Sequence, residues 1–136
     1  MKDFFKYHFP FIAWMLAIFI QSSFPAIELP KVDLISADKL VHAGVFGLLA
    51  AFCFISLIHT TKPNVFSSKP LLWSPVISIL YAASDEIHQY FVPNRSAEVQ
   101  DWAADVLGII IAILVIKYFL KNRYLLFGRT LTNESN

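Results

Sequence analysis

The chain has 136 residues, 57% of them hydrophobic and only 15% charged, against roughly 25% charged in soluble domains. One small soluble core cannot hide that much apolar surface, so the composition points to a single-domain integral membrane protein. The net charge of +1 excludes a strong bulk field for nucleic acid, and the lone Cys53, inside an apolar run, makes no intrachain disulfide and reads as a small buried hydrophobe.

Four apolar segments follow in chain order, at about Phe9–Phe24, Lys39–Ile58, Pro70–Phe91 and Gln100–Leu120. Each approaches the ~20 residues that span ~30 Å of hydrocarbon at ~1.5 Å per residue. The first follows Lys2 and Lys6, as in a signal peptide. No A-x-A-like site follows Ile20, however, and three more spans come after it, so it reads as a retained helix. Polar connections cover Pro25–Ala37, His59–Lys69 and Val92–Val99. The expected architecture is an all-α bundle of four transmembrane helices over residues 1–120, with a basic then polar tail over 121–136 that frays.

Lysine and arginine set the orientation. The side with the N-terminus, second connection and tail carries Lys2, Lys6, Lys62, Lys69, Lys117, Lys121, Arg123 and Arg129. The other side carries Lys31, Lys39 and Arg95. This bias predicts cytoplasmic termini and places the first and third connections outside.

Four polar clusters fall at the outward ends of these segments: Gln21-Ser22-Ser23, Asp38…His42, Ser84-Asp85-Glu86…His88-Gln89 and Arg95…Asp101…Asp105. A charge near the helix centre costs roughly 2.5–3.5 kcal/mol on insertion scales, so this many ionisable groups mark a site. Asp38 and His42 lie four residues apart and share a face, as do Asp85, His88 and Gln89, while Asp101, Asp105 and Gly108 continue one stripe. Asp85 and Asp105 are expected ~9 Å inside the boundary at ~1.5 Å per residue. Arg95 is the expected cation for two or three of these carboxylates. The rows Ala43-x3-Gly47-x3-Ala51 and Ala104-x3-Gly108-x3-Ala112 predict close helix packing. Trp14, Trp73 and Trp102 are expected near span ends, and His8 and His59 at the interface.

The strings Asp38-Lys39-x2-His42-x3-Phe46, Ser84-Asp85-Glu86-x-His88-Gln89-x-Phe91-x-Pro93-x-Arg95 and Asp101-x3-Asp105-x2-Gly108 resemble the VanZ-like family of small bacterial membrane proteins, over about residues 20–115. The resemblance implies a multi-pass protein of the bacterial cytoplasmic (inner) membrane with its polar site on the outer face. Through the family's founding member it also implies a link to teicoplanin-type glycopeptide resistance. It supplies no reaction.

The expected partners are membrane lipids and a lipid-linked or glycopeptide-type envelope ligand, with no nucleic acid. The candidate binding or catalytic residues are Asp38, His42, Ser84, Asp85, Glu86, His88, Gln89, Arg95, Asp101 and Asp105. Three alternatives stand beside simple binding. In an enzyme, His42 or His88 acts as base or nucleophile beside a carboxylate, with Arg95 and Lys39 on a phosphate. Intramembrane Asp, Glu and His also suit an ion or proton path. A structural clasp of Asp85, Arg95, Asp101 and Asp105 is the third. No cofactor is expected; a divalent metal, if bound, takes His42, His88 and Asp85.

Overall fold

The computed structural model describes residues 2–25, 35–62 and 64–133, and every regular element among them is helical. Helix α1 runs Phe4–Ser22, with its first turns, Phe4–His8, wound as π-helix and Phe9–Ser22 as α-helix. Helix α2 covers Ile35–Ile58, the one-turn α3 Val65–Ser68, α4 Pro70–Tyr90 and α5 Val99–Asn133. The tail expected from residue 121 therefore begins inside α5. Most of the first connection, including Lys31, lies outside the described residues.

Local chemistry explains the helix starts. Pro70 opens α4, where a missing N–H removes no intrahelical bond. The second connection, expected as a plain loop, contains α3 because Asn64 caps it. The Asn64 side chain accepts from Phe66 N (3.0 Å) and Ser67 N (2.9 Å), and its own N–H donates to Ser67 Oγ (2.9 Å).

Side-chain contacts fix the order of the long helices. At one end His8 Nδ1 lies 2.8 Å from Ser56 Oγ, and Tyr7 stacks on His59 at 3.6 Å, so α1 runs antiparallel to α2. These two histidines tie helices together. Tyr81 donates to Met15 O (2.7 Å) and Ser22 Oγ donates to Asp85 Oδ2 (2.9 Å), so α4 runs parallel to α1. Lys39 meets Asp101 and His42 meets Asp105, which makes α2 and α5 parallel. The α2–α5 seam is the most extensive in the bundle. A Cβ on Gly108 would overlap the Ala43 carbonyl, and one on Gly47 would sit 3.0 Å from Gly108 O and 3.7 Å from Ala112 Cβ. Ala51 and Ala104, on the same two rows, are half-buried. A small apolar core of Ile18, Phe46, Leu49, Ala50, Ala82 and Ile109 fills the centre.

The bundle is polar inside and apolar outside. Leu80 is 65% exposed and Leu114 59%, while Gln89 is 4% exposed and Asp105 1%. Soluble proteins do not leave so much apolar surface uncovered while burying charge; a lipid environment accounts for both. Three helices, Phe4–Ser22, Asp38–Ile58 and Val99–Asn122, are long and apolar enough to cross a membrane. The third expected span, α4, is not among them. Ser74, Ser78, Ser84, Asp85, Glu86, His88 and Gln89 lower its hydropathy.

Candidate functional site

All four polar clusters meet at one end of the bundle, where α1 and α4 finish and α2 and α5 begin. Asp85 is the centre of the α1–α4 contact. Its Oδ2 accepts from Ser22 Oγ at 2.9 Å and from Gln89 Nε2 at 2.8 Å, while Oδ1 is buried without a hydrogen-bond partner. On the α2–α5 side, His42 Nδ1 lies 3.0 Å from Asp105 Oδ1, and Lys39 bonds Asp101 with Glu98 Oε2 at 3.6 Å. Glu86 Oε2 accepts from the Glu98 backbone N–H at 3.0 Å.

Arg95 takes different partners from those expected. Pro93 and Asn94 occupy the centre of a turn in which Arg95 N donates to Val92 O at 3.2 Å, and Asn94 has a left-handed φ of 59°. Proline second and a left-handed Asn third suit a type II turn. This turn sends the guanidinium back across the end of α1. Nε donates to Phe24 O (3.1 Å), Nη2 to Gln21 O (3.4 Å) and Nη1 to Gln89 Oε1 (3.2 Å). A cation at a helix C-terminus is favoured by the dipole and satisfies orphan carbonyls. Among the described residues no carboxylate pairs with Arg95, so the clasp of Arg95 with Asp85, Asp101 and Asp105 is not formed. Lys39 has the Asp101 role instead.

Two further candidates turn away. Ser84 is exposed and donates to Tyr81 O at 2.7 Å. His88 packs on the Phe19 ring at 4.7 Å, with Nε2 3.0 Å from Ser23 Oγ. The Ser23 hydroxyl also meets Phe19 O at 2.7 Å. A carbonyl only accepts, so the one hydroxyl hydrogen goes there and His88 is the donor to Ser23. A Ser–His nucleophile is thus not assembled at this pair.

A cavity of about 800 Å³ opens between α1, α2, the end of α4 and the following turn. Asp38, His42, Asp85, Gln89, Arg95 and Asp101 line its polar part. Trp14, Ile18, Val45 and Phe46 line an apolar part. Trp14, expected near a span end, lies near the middle of Phe4–Ser22 and lines the cavity; its indole N–H donates to Val45 O at 3.0 Å. Glu86 and Asp105 sit behind this wall, with Glu86 Oε1 and Asp105 Oδ2 both buried and unpartnered. Glu98 was not among the expected residues; its place three residues before Asp101, at the start of α5, is the signal that marks it.

No curated protein and no solved structure shows significant similarity to this chain. The family model described as VanZ/LLP1 matches residues 5–121, which takes in α2 and α4 whole, nearly all of α1, the first two thirds of α5 and every residue of the polar end; the chain belongs to the VanZ/LLP1 family.

Proposed function

We propose that this chain is a bacterial envelope protein whose cavity holds the polar head of a membrane-borne envelope component, and that it thereby alters susceptibility to teicoplanin-type glycopeptides. The observation that carries this reading is the divided wall of the cavity, apolar along Trp14, Ile18, Val45 and Phe46 and polar along Asp38, Asp85, Gln89, Arg95 and Asp101. Its volume of about 800 Å³ falls among ligand pockets of ~300–1,000 Å³. A lipid-linked, phosphate-bearing ligand matches that division. Arg95 has three N–H groups on neutral acceptors, which leaves two of the guanidinium's five and its charge for a phosphate. Asp85 Oδ1, buried and without a partner, supplies an acceptor for a hydroxyl or amine of the same ligand.

Helix α4 is the fourth span in this reading. Its 21 residues reach roughly 32 Å at 1.5 Å per residue. Its polar side chains Ser74, Ser78, Asp85, Glu86 and Gln89 are buried, while Leu72 and Leu80 face outward. With four spans the lysine and arginine bias puts both termini in the cytoplasm and the cavity on the outer face of the inner membrane. A reporter fused after Asn136 that is active only outside the cell overturns this orientation.

The ligand test is native mass spectrometry of protein extracted from bacterial membranes. Wild type is expected to carry a phosphate-bearing lipid that falls at least tenfold in Arg95→Gln and in Asp85→Asn, at matched expression and folding. Glycopeptide susceptibility should change in parallel. Lipid retained by both variants removes the cavity from the argument; lipid loss with unchanged susceptibility removes only the resistance.

A further inference from the structure

Behind the cavity wall, three helices each contribute one ligand-type side chain to a single point. His42 from α2, Glu86 from α4 and Asp105 from α5 offer ligand atoms that all lie within 4.8 Å of one another. Glu86 is 8% exposed and Asp105 1%. Each carboxylate has one oxygen engaged and the other bare. Glu86 Oε2 accepts the Glu98 N–H at 3.0 Å and Asp105 Oδ1 meets His42 Nδ1 at 3.0 Å, while Glu86 Oε1 and Asp105 Oδ2 are buried with no partner. Two bare carboxylate oxygens buried in one place are costly unless something cationic or hydrogen-bearing sits between them. Lys39 is occupied by Asp101, and the described partners of Arg95 are Gln21, Phe24 and Gln89.

We propose that His42, Glu86 and Asp105 bind one first-row divalent cation of the Zn²⁺ or Mn²⁺ class. An imidazole with two carboxylates and no thiolate selects such ions over Mg²⁺ and Ca²⁺, which prefer all-oxygen sites. Bonds of ~2.1 Å put adjacent ligand atoms ~3.0 Å apart in an octahedral Mn²⁺ site and ~3.4 Å apart in a tetrahedral Zn²⁺ site, so the 3.0 Å between His42 Nδ1 and Asp105 Oδ1 matches the first and needs a small spreading for the second. The Glu98 N–H orients Glu86 as an outer partner does at metal sites. The trio differs from the one drawn from the sequence, because His88 is turned to α1 and Asp85 bonds Ser22 and Gln89. A second group, Asp38, His42 and Asp101, shares His42, but Lys39 already holds its Asp101. The site does not depend on what fills the cavity.

The test uses full-length protein in detergent, stripped with chelator and titrated with ZnCl2, MnCl2 or MgCl2. Bound metal is counted by elemental analysis and the melting temperature is followed. Wild type is expected to take one Zn²⁺ or Mn²⁺ per chain with a raised melting temperature, and to ignore Mg²⁺ at the same concentration. Glu86→Gln and Asp105→Asn should each weaken binding at least tenfold while still eluting as folded protein. His59→Ala, at the opposite end of the bundle, should bind as wild type does. Three results overturn the proposal: no stoichiometric ion in wild type, unchanged binding in Glu86→Gln and Asp105→Asn, or loss of the ion in Asp38→Asn with retention in Glu86→Gln.

Discussion

Three glycine-to-alanine variants test whether the α2–α5 seam sets the geometry of the polar end. Removing a helical glycine favours the helix by up to ~1 kcal/mol. Ala at Gly44 meets nothing within 4 Å, so that variant should be neutral or gain about this amount. At Gly47 the new Cβ lies 3.0 Å from Gly108 O; a small adjustment should cancel the gain. At Gly108 the Cβ lands on the Ala43 carbonyl, and backbone cannot rotate aside as a side chain does. The helices must part, at an overpacking cost of ~1–3 kcal/mol. The propensity gain is common to both variants, so Gly108→Ala should be roughly 1–3 kcal/mol less stable than Gly44→Ala. Because Ala43 follows His42 and Gly108 lies one turn past Asp105, the same separation stretches the 3.0 Å His42–Asp105 contact. Reversible unfolding in mixed micelles measures the stability, and the His42 imidazole resonance reports the contact. Equal stability of Gly44→Ala and Gly108→Ala, with an unmoved His42 signal, would refute the reasoning.

Arg95→Lys should behave as Arg95→Gln does, losing ~1–3 kcal/mol, because one ammonium cannot reach Phe24 O, Gln21 O and Gln89 together; thermal unfolding in detergent decides. Ser22→Ala removes one of the two donors to Asp85 Oδ2 and should cost ~1–3 kcal/mol; unfolding in mixed micelles measures it. Ser84→Ala, exposed and bonded only to Tyr81 O, should stay within ~0.5 kcal/mol of wild type and keep any bound lipid on native mass spectrometry.

Much of the fold was readable because long apolar runs, proline starts and small-residue rows each act locally. Helix α4 was readable as an element, but its low hydropathy hides the fact that its polar face turns inward. The site was readable as a place and less so as a set of pairings. A count of charges assigned Arg95 to carboxylates, whereas the Pro93–Asn94 turn aims it at backbone carbonyls, which a sequence does not display. Helical spacing grouped His88 with Asp85 and Gln89, yet three and four residues at ~100° each fall on opposite sides of the starting direction. Gln89 thus reaches the cavity while His88 reaches Phe19. Trp14, expected near a span end from the general placement of membrane tryptophans, lies near the middle of its span, where its indole N–H finds an acceptor on α2. The α3 turn depended on Asn64 side-chain capping, which a polar-loop reading passed over.

The pairing of α2 with α5 also bears on how the protein is made. Lys39 with Asp101 and His42 with Asp105 are 62 and 63 residues apart, and the chain is synthesised N-terminus first. While α5 is still in the ribosome, Lys39, His42 and Glu86 have none of the partners that α5 and the residues before it provide. Helix α5, made after α1, α2 and α4, carries Asp101, Asp105 and the glycine that lets it seat against α2. Seating of α5 and completion of the polar site are therefore the same event, and a chain stopped short of Glu98 leaves Lys39, His42 and Glu86 without the Asp101, Asp105 and Glu98 partners that join them in the folded bundle.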